Sequence, residues 1–321
     1  MHFRKILALG LAGVLTLATL TGCGLEQNVT IYEDGTLNIS NQILLTDSEY
    51  KELDDTYKSK GVTLDAVFKS SGFTYFGERK VDGVDYKVYS NVGKQDKQYT
   101  DTLFVINNSE QAVTCMSIDL DMSDVDINEI LQHYSGTFSF PNNIVSSNVN
   151  TDKNSMILSR DDLLSGKIDR AYVTFKEGIA EKKDLKISGV SDKGCYNKSK
   201  TLKAESNGVI TKFRVNDLPK TTNYFTTTAD GRYKVDVELA SGVSKNLSFI
   251  IDTMKPTTNI SAKTYKKGQK ITFKDALSGV RKATLNNKVI KNGVKVKKSG
   301  KYTLKITDKA GNTKTVKFTV K

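Results

Sequence analysis

Gly231-Arg-Tyr233-Lys-Val235-Asp-Val237 and, 69 residues later, Gly300-Lys-Tyr302-Thr-Leu304-Lys-Ile306 are two versions of one phrase. Apolar residues take every second position, with charged or hydroxylic residues between them. A period of two puts each set on its own face of a β-strand, one face buried and the other wet. The same offset aligns Gly242 with Gly311, Leu247 with Val316 and Phe249 with Phe318. Upstream it aligns Tyr196 with Tyr265 and Leu202 with Ile271. After a turn at Gly311-Asn312, Val316, Phe318 and Val320 resume the alternation. A repeat of this kind marks duplicated modules, and strands of this kind build antiparallel sandwiches.

The second copy carries a recognisable signature. Gly300-x-Tyr302, then Asp308-Lys-Ala-Gly311-Asn312, then alternating apolar residues, resembles the bacterial Ig-like domains of cell-surface proteins. The stretch Asp252-Thr-Met-Lys-Pro256 is similar to junctions in such arrays. Pro256 has no N–H, so it ends one ladder and opens the next module. The first copy departs from the pattern, with Leu239 in place of Asp308 and Val243 in place of Asn312. The resemblance spans about residues 180–321. It implies a spacer or adhesion module, and no catalysis.

Residues 26–177 follow a different grammar. Val29-Thr-Ile31-Tyr and Thr36-Leu37-Asn-Ile39 flank the turn Glu33-Asp34-Gly35. Thr46-Asp-Ser-Glu49 is a capping box, followed by Tyr50, Leu53 and Tyr57 at helical spacing up to Gly61. A second hairpin turns at Asp82-Gly83 between Phe73–Glu78 and Val84–Tyr89. Strands are expected at Leu103–Ile106, Ala112–Leu120 and Met156–Leu158, with Asn107-Asn108-Ser109 joining the first two. A short helix is expected from Val125 to His133, and an extended segment from Phe138-Ser-Phe140-Pro141. The sum is an α+β domain, mostly antiparallel sheet with one or two helices. The order of elements, with Gly83-x-x-Tyr86 and Phe140-Pro141-Asn-Asn-Ile144 before Asn154-Ser-Met156, resembles the LppM-type lipoprotein domain. That resemblance implies a fold and a membrane address without an enzymatic activity. Asn142 and Val149 depart from its pattern.

The first 23 residues read as an export leader. Arg4 and Lys5 precede an apolar run from Ile6 to Leu20, and Leu20-Thr21-Gly22-Cys23 resembles the lipobox of bacterial lipoproteins. An aliphatic residue and two small ones admit the peptidase, and the thiol takes a diacylglycerol. The expectation is a mature chain beginning at Cys23, lipid-anchored on the extracytoplasmic face of the cell membrane. Each buried acyl CH₂ contributes about 0.8 kcal/mol to such an anchor. The expected organisation is therefore multidomain. A leader (1–22) precedes an α+β domain (23–178) and two all-β Ig-like sandwiches (179–254 and 255–321).

Charge is distributed unevenly. The 321 residues carry a net +12, but residues 256–321 hold 18 Lys and Arg against only Asp275 and Asp308, a net +16. The rest of the chain is acidic by four charges. Lys295, Lys297 and Lys298 cluster before the Ser299-Gly300 turn and are the expected contact for anionic envelope polymers or lipids. Nucleic acid is not an expected partner, because aromatic residues are not interleaved with the lysines. After Cys23, the remaining thiols are Cys115 and Cys195, and the one histidine is His133. These support neither a zinc site nor a nucleophile–base set, and there is no phosphate loop. No cofactor, metal or catalytic residue is expected, and the chain reads as a non-catalytic binding protein. Two further constellations have a bland and a functional reading. Asp119-x-Asp121-x-Ser123-Asp124-x-Asp126 looks like a calcium loop, but Asp124 and Ile130 stand where an EF-hand needs Gly and Glu. Phe68, Phe73, Tyr75, Phe76, Tyr86 and Tyr89 line either a lipid or small-ligand pocket, the alternative function, or simply a core.

Overall fold

The computed structural model describes residues 23–33, 36–92, 104–106, 111–116, 131–165 and 168–321. Leu20, Thr21 and Gly22, the turn at 107–109 and the acidic run 119–126 lie outside the described residues. The chain is mostly β, with short helices and several separate sheets. It groups into two compact units. One comprises the residues through Asp184 together with Ser206–Lys212 and Glu238–Val243. The other comprises Leu185–Glu205, Phe213–Val237 and Ser244–Lys321. Among the described residues no helix is long and apolar enough to cross a membrane.

The first unit opens with β1 (Cys23–Ile31) and β2 (Leu37–Leu45), an antiparallel hairpin. Helices α1 (Asp47–Lys58) and α2 (Leu64–Ser70) follow. The expected capping box is formed: Thr46 accepts the Glu49 N–H, while Glu49 accepts the Thr46 N–H at 2.6 Å. Asp54 joins the helices, accepting the Leu64 N–H at 3.0 Å and pairing with Lys58 at 2.6 Å. Next come β3 (Thr74–Val81), β4 (Val84–Val92), β5 (Phe104–Ile106), β6 (Ala112–Met116) and β7 (Leu131–Ser139). Of the helix expected from Val125 to His133, residues 125–130 lie outside the described residues, and its end is corrected. His133 sits inside β7, which pairs in parallel with β1. Its neighbours Tyr134 and Phe138 alternate with Ser135 and Thr137, a period of two that outweighs the local helical spacing. The extended segment expected from Phe138 therefore starts earlier, and Phe140 follows the strand.

Then come β8 (Ser146–Ser147), β9 (Asn150–Asp152), β10 (Ser155–Ser159), α3 (Arg160–Leu164) and β11 (Arg170–Thr174). A seven-stranded sheet has the order β3-β4-β2-β1-β7-β10-β9, and a four-stranded sheet the order β5-β6-β11-β8. Leu25, Val29, Ile39, Ile43, Tyr134, Phe138 and Met156 on one face of the larger sheet share a core with Leu53, Leu64 and Phe68 of the helices and Val113 and Val173 of the smaller sheet. A buried amide relay crosses three strands of the larger sheet. Gln27 Nε2 donates to Asn41 Oδ1 at 3.0 Å, and Asn41 Nδ2 donates to Asn91 Oδ1 at 3.2 Å. Slipping any strand by one residue would strand these amides without partners, so they fix the register.

The duplicated modules follow. The first contains β12 (Lys186–Ser188), β13 (Gly194–Tyr196), β14 (Lys200–Glu205), β15 (Ile210–Val215), β16 (Leu218–Pro219), β17 (Tyr224–Thr227), β18 (Gly231–Leu239) and β19 (Ser244–Ile251). The second contains β20 (Thr257–Thr258), β21 (Thr264–Tyr265), β22 (Gln269–Lys270), β23 (Phe273–Lys274), β24 (Val280–Leu285), β25 (Lys288–Val289), β26 (Lys295–Val296), β27 (Gly300–Asp308) and β28 (Thr313–Val320). Their main sheets have the same order, β13-β19-β18-β15-β16 and β21-β28-β27-β24-β25. In each, the first strand pairs in parallel with the last long one. Equivalent contacts recur: the Tyr233 hydroxyl donates to Ala229 O and the Tyr302 hydroxyl to Lys298 O, both at 2.8 Å. In the second module Leu304, Ile306, Val316, Phe318 and Val320 meet Phe273 and Val296 of the small sheets, and Ile271 between β22 and β23, in one core, which makes it a β-sandwich.

Candidate functional site

The outer face of the second sandwich follows from the alternation that buries its inner one. On β27, Tyr302, Leu304 and Ile306 turn inward, which leaves Lys301, Thr303 and Lys305 outside; on β28, Lys317 and Thr319 are outside. The register pairs Lys301 with Thr319, Thr303 with Lys317, and Lys305 with Thr315. Each lysine therefore faces a threonine, and like charges meet only on the diagonal, which limits repulsion. Lys263 and Thr264 extend the row across β21, and Thr264 pairs with Thr319. Lys263, Lys301 and Lys317, with Thr264, Thr303 and Thr319, line an open depression of about 500 Å³. Lys263 Nζ also lies 5.1 Å from the centre of the Tyr265 ring. Burial pulls the Tyr265 phenol up, but hydrogen bonds from Ser261 and the Lys263 charge outweigh it and hold the phenol below its ordinary value.

Among the described residues no carboxylate lines this face. Asp308 is fully buried and Asp275 half-buried, and none of the module's 18 cationic side chains is ion-paired among the described residues. Lys295, Lys297 and Lys298 are exposed and do not line the depression. Lys295 lies on β26 directly opposite Lys270 of β22, a like-charge pair, and Lys297 and Lys298 follow it. The depression escaped the sequence reading because its lysines are scattered over 54 positions and only the strand register gathers them.

The two missing acids lie elsewhere for a reason. Carboxylate oxygens of Asp252, Asp275 and Asp308 lie within 4.8 Å of one another. Asp252 accepts the N–H groups of Met254 and Ser278. Asp275 accepts those of Leu277 and Gly279, and Asp308 those of Gly311 and Asn312. Asn312 Nδ2 reaches Asp252 O at 2.6 Å. The Asp252-Thr-Met-Lys-Pro256 and Asp308-Lys-Ala-Gly311-Asn312 motifs are therefore two halves of one clasp. Three such oxygens form the hard donor set that calcium prefers, and the N–H groups already satisfy them in part.

Cys23 is the first residue of β1, 5% exposed, with its thiol pushed up to about 12 by burial and then by the Glu49 charge. The aromatic set divides. Phe68, Phe73, Tyr86 and Tyr89 are buried, while Tyr75 and Phe76 are exposed. Phe68 lies 4.3 Å from Tyr89, whose hydroxyl donates to Asp65 at 2.6 Å and whose phenol burial and Asp65 hold well above its ordinary value. Phe68, Phe73 and Tyr89 belong to the core shared by the sheets and helices, and Tyr86 is buried outside that cluster. Cys195 is a free thiol.

No family model matches the chain, and neither does any curated protein. Solved structures give distant likenesses only. One is a Bacteroides ovatus mixed-linkage glucan utilization locus protein in complex with a mixed-linkage heptasaccharide, 13% identical, covering 52% of this chain and 50% of that one with a TM-score of 0.16. Another is the N-terminal eight Ig domains of Down Syndrome Cell Adhesion Molecule, 9% identical, covering 89% of this chain and 46% of that one with a TM-score of 0.21. The chain thus spans about half the length of each of these structures.

Proposed function

We propose that the chain is a non-catalytic surface lipoprotein, held at the membrane by lipid on Cys23, whose second sandwich binds a polyanion of the cell envelope. The observation that carries the binding is the Lys263–Lys301–Lys317 face, which has threonine hydroxyls between the charges and no carboxylate. Exposed ammonium groups at strand spacing attract a linear array of phosphates, and adjacent hydroxyls donate further hydrogen bonds to them. The attraction decays over a Debye length of about 8 Å at physiological ionic strength, so the polymer must lie in contact with the face. The clasp at Asp252 ties the sandwich to the strand that precedes it, so the face is presented on a fixed body. Co-sedimentation of residues 24–321 tests the reading, with one arm using a phosphodiester polymer and the other acidic-lipid vesicles. Retention on the polymer at low salt and release at high salt is expected. Retention on vesicles alone would transfer the site to lipid head groups.

A further inference from the structure

Phe76 is 73% exposed, the most exposed large apolar side chain among the described residues, and its neighbour Tyr75 is 53% exposed. The backbone explains why. Tyr75 pairs with Tyr89 and Gly77 with Val88, so Phe76 is the extra residue of a β-bulge on the sheet's edge strand. Gly77, at φ +136, provides the conformation that the bulge needs.

The register also shows where this bulge lies. Gly77 pairs with Val88, Val88 with Leu44 and Leu44 with Gly24, so one row crosses four strands and ends beside Cys23. Three inter-strand spacings put the bulge roughly 15 Å from Cys23, level with it along the strands, while the β3–β4 hairpin runs on to its turn at Asp82-Gly83. Only one peptide bond separates Cys23 from the strand residue Gly24, so lipid on Cys23 leaves no spacer between bilayer and sheet. We propose that Tyr75 and Phe76 are a second membrane contact, entering the head-group region of the bilayer that holds the lipid. This rests on the anchor reading above. Aromatic side chains favour that depth, since a ring fills the apolar boundary while the tyrosine hydroxyl stays wet. The contact is apolar, so salt does not weaken it, unlike attraction through the lysine face. Two points of attachment fix which way the first unit faces; lipid alone leaves it free to swivel.

The chain contains no tryptophan, so Phe76→Trp makes a single fluorescent reporter. The acylated full-length protein is reconstituted into phosphatidylcholine vesicles containing bromine-labelled lipid. Tyr224→Trp is the comparison, at a position that is 54% exposed and lies on the first sandwich module. Quenching of the Phe76→Trp protein at least twofold greater than that of the Tyr224→Trp protein, unchanged between low and high salt, is expected. Equal quenching in proteins whose intact mass shows the acyl chains would overturn the contact and leave the anchor standing. An intact mass without acyl chains would overturn the anchor, and the contact with it.

Discussion

At the residue scale, Cys23 is the sharpest constraint. Nucleophilic attack needs a thiolate, and a thiol raised to about 12 has almost none at neutral pH. On the anchor reading, acylation must therefore precede the pairing of β1. The ladder permits the lipidated residue to leave, because the β1–β7 register is irregular between Cys23 and Gly24. In folded, unacylated protein carrying Cys115→Ser, iodoacetamide should modify Cys195 at least a hundredfold faster than Cys23; equal rates would mean that Cys23 is not held in the core. Asp54 offers a pH test. Its carboxyl is held below the ordinary value, first by Lys58 and then by the Leu64 N–H. A depressed folded value means stability that is present above the ordinary carboxylate pKa and lost as pH falls through the folded one. Asp54→Asn should therefore destabilise the protein at pH 7, and the gap from wild type should close towards pH 2. A gap that is constant with pH would show that the ion pair contributes nothing.

At the element scale, the clasp reaches across Pro256. Asp252 precedes Pro256, yet it accepts the Ser278 N–H, and its carbonyl holds Asn312. A fragment starting at Asp252 should be about 2 kcal/mol more stable than one starting at Pro256, since hydrogen bonds to a charged group contribute about 1.5–3 kcal/mol each. Thermal melts of the two fragments check this, and equal midpoints would contradict it. The long strands were legible because their period is two: Gly231–Leu239 and Gly300–Asp308 coincide with the repeated phrase. The capping box of α1 was legible because its chemistry is local. The parallel pairing of β1 with β7 was not, because parallel pairing joins segments remote in sequence and leaves no local mark. The clasp was hidden for the same reason: its three aspartates are spread over 56 positions, and two of them stand in separate motifs. Helix α2, seven residues long, is too short to show a period.

At the scale of the whole molecule, charge is unevenly distributed along the chain. The acids of the last module are drawn into the clasp, so the outward positions of β27 and β28 around the depression hold lysine and threonine. A face that serves only solubility needs charge but no particular arrangement. A face that binds a linear polyanion needs its charges gathered by the register, and that difference is measurable. Affinity for a phosphodiester polymer is followed against salt for the wild type, for Lys263→Gln/Lys301→Gln/Lys317→Gln, and for Lys295→Gln/Lys297→Gln/Lys298→Gln. Each lysine that displaces a counterion contributes roughly 0.7 to the slope of log K against log salt on a single-stranded polyanion. The first variant should bind more weakly at low salt, with a slope shallower by about 2, and the second should stay closer to wild type. Identical affinities and slopes for all three proteins would contradict the binding face.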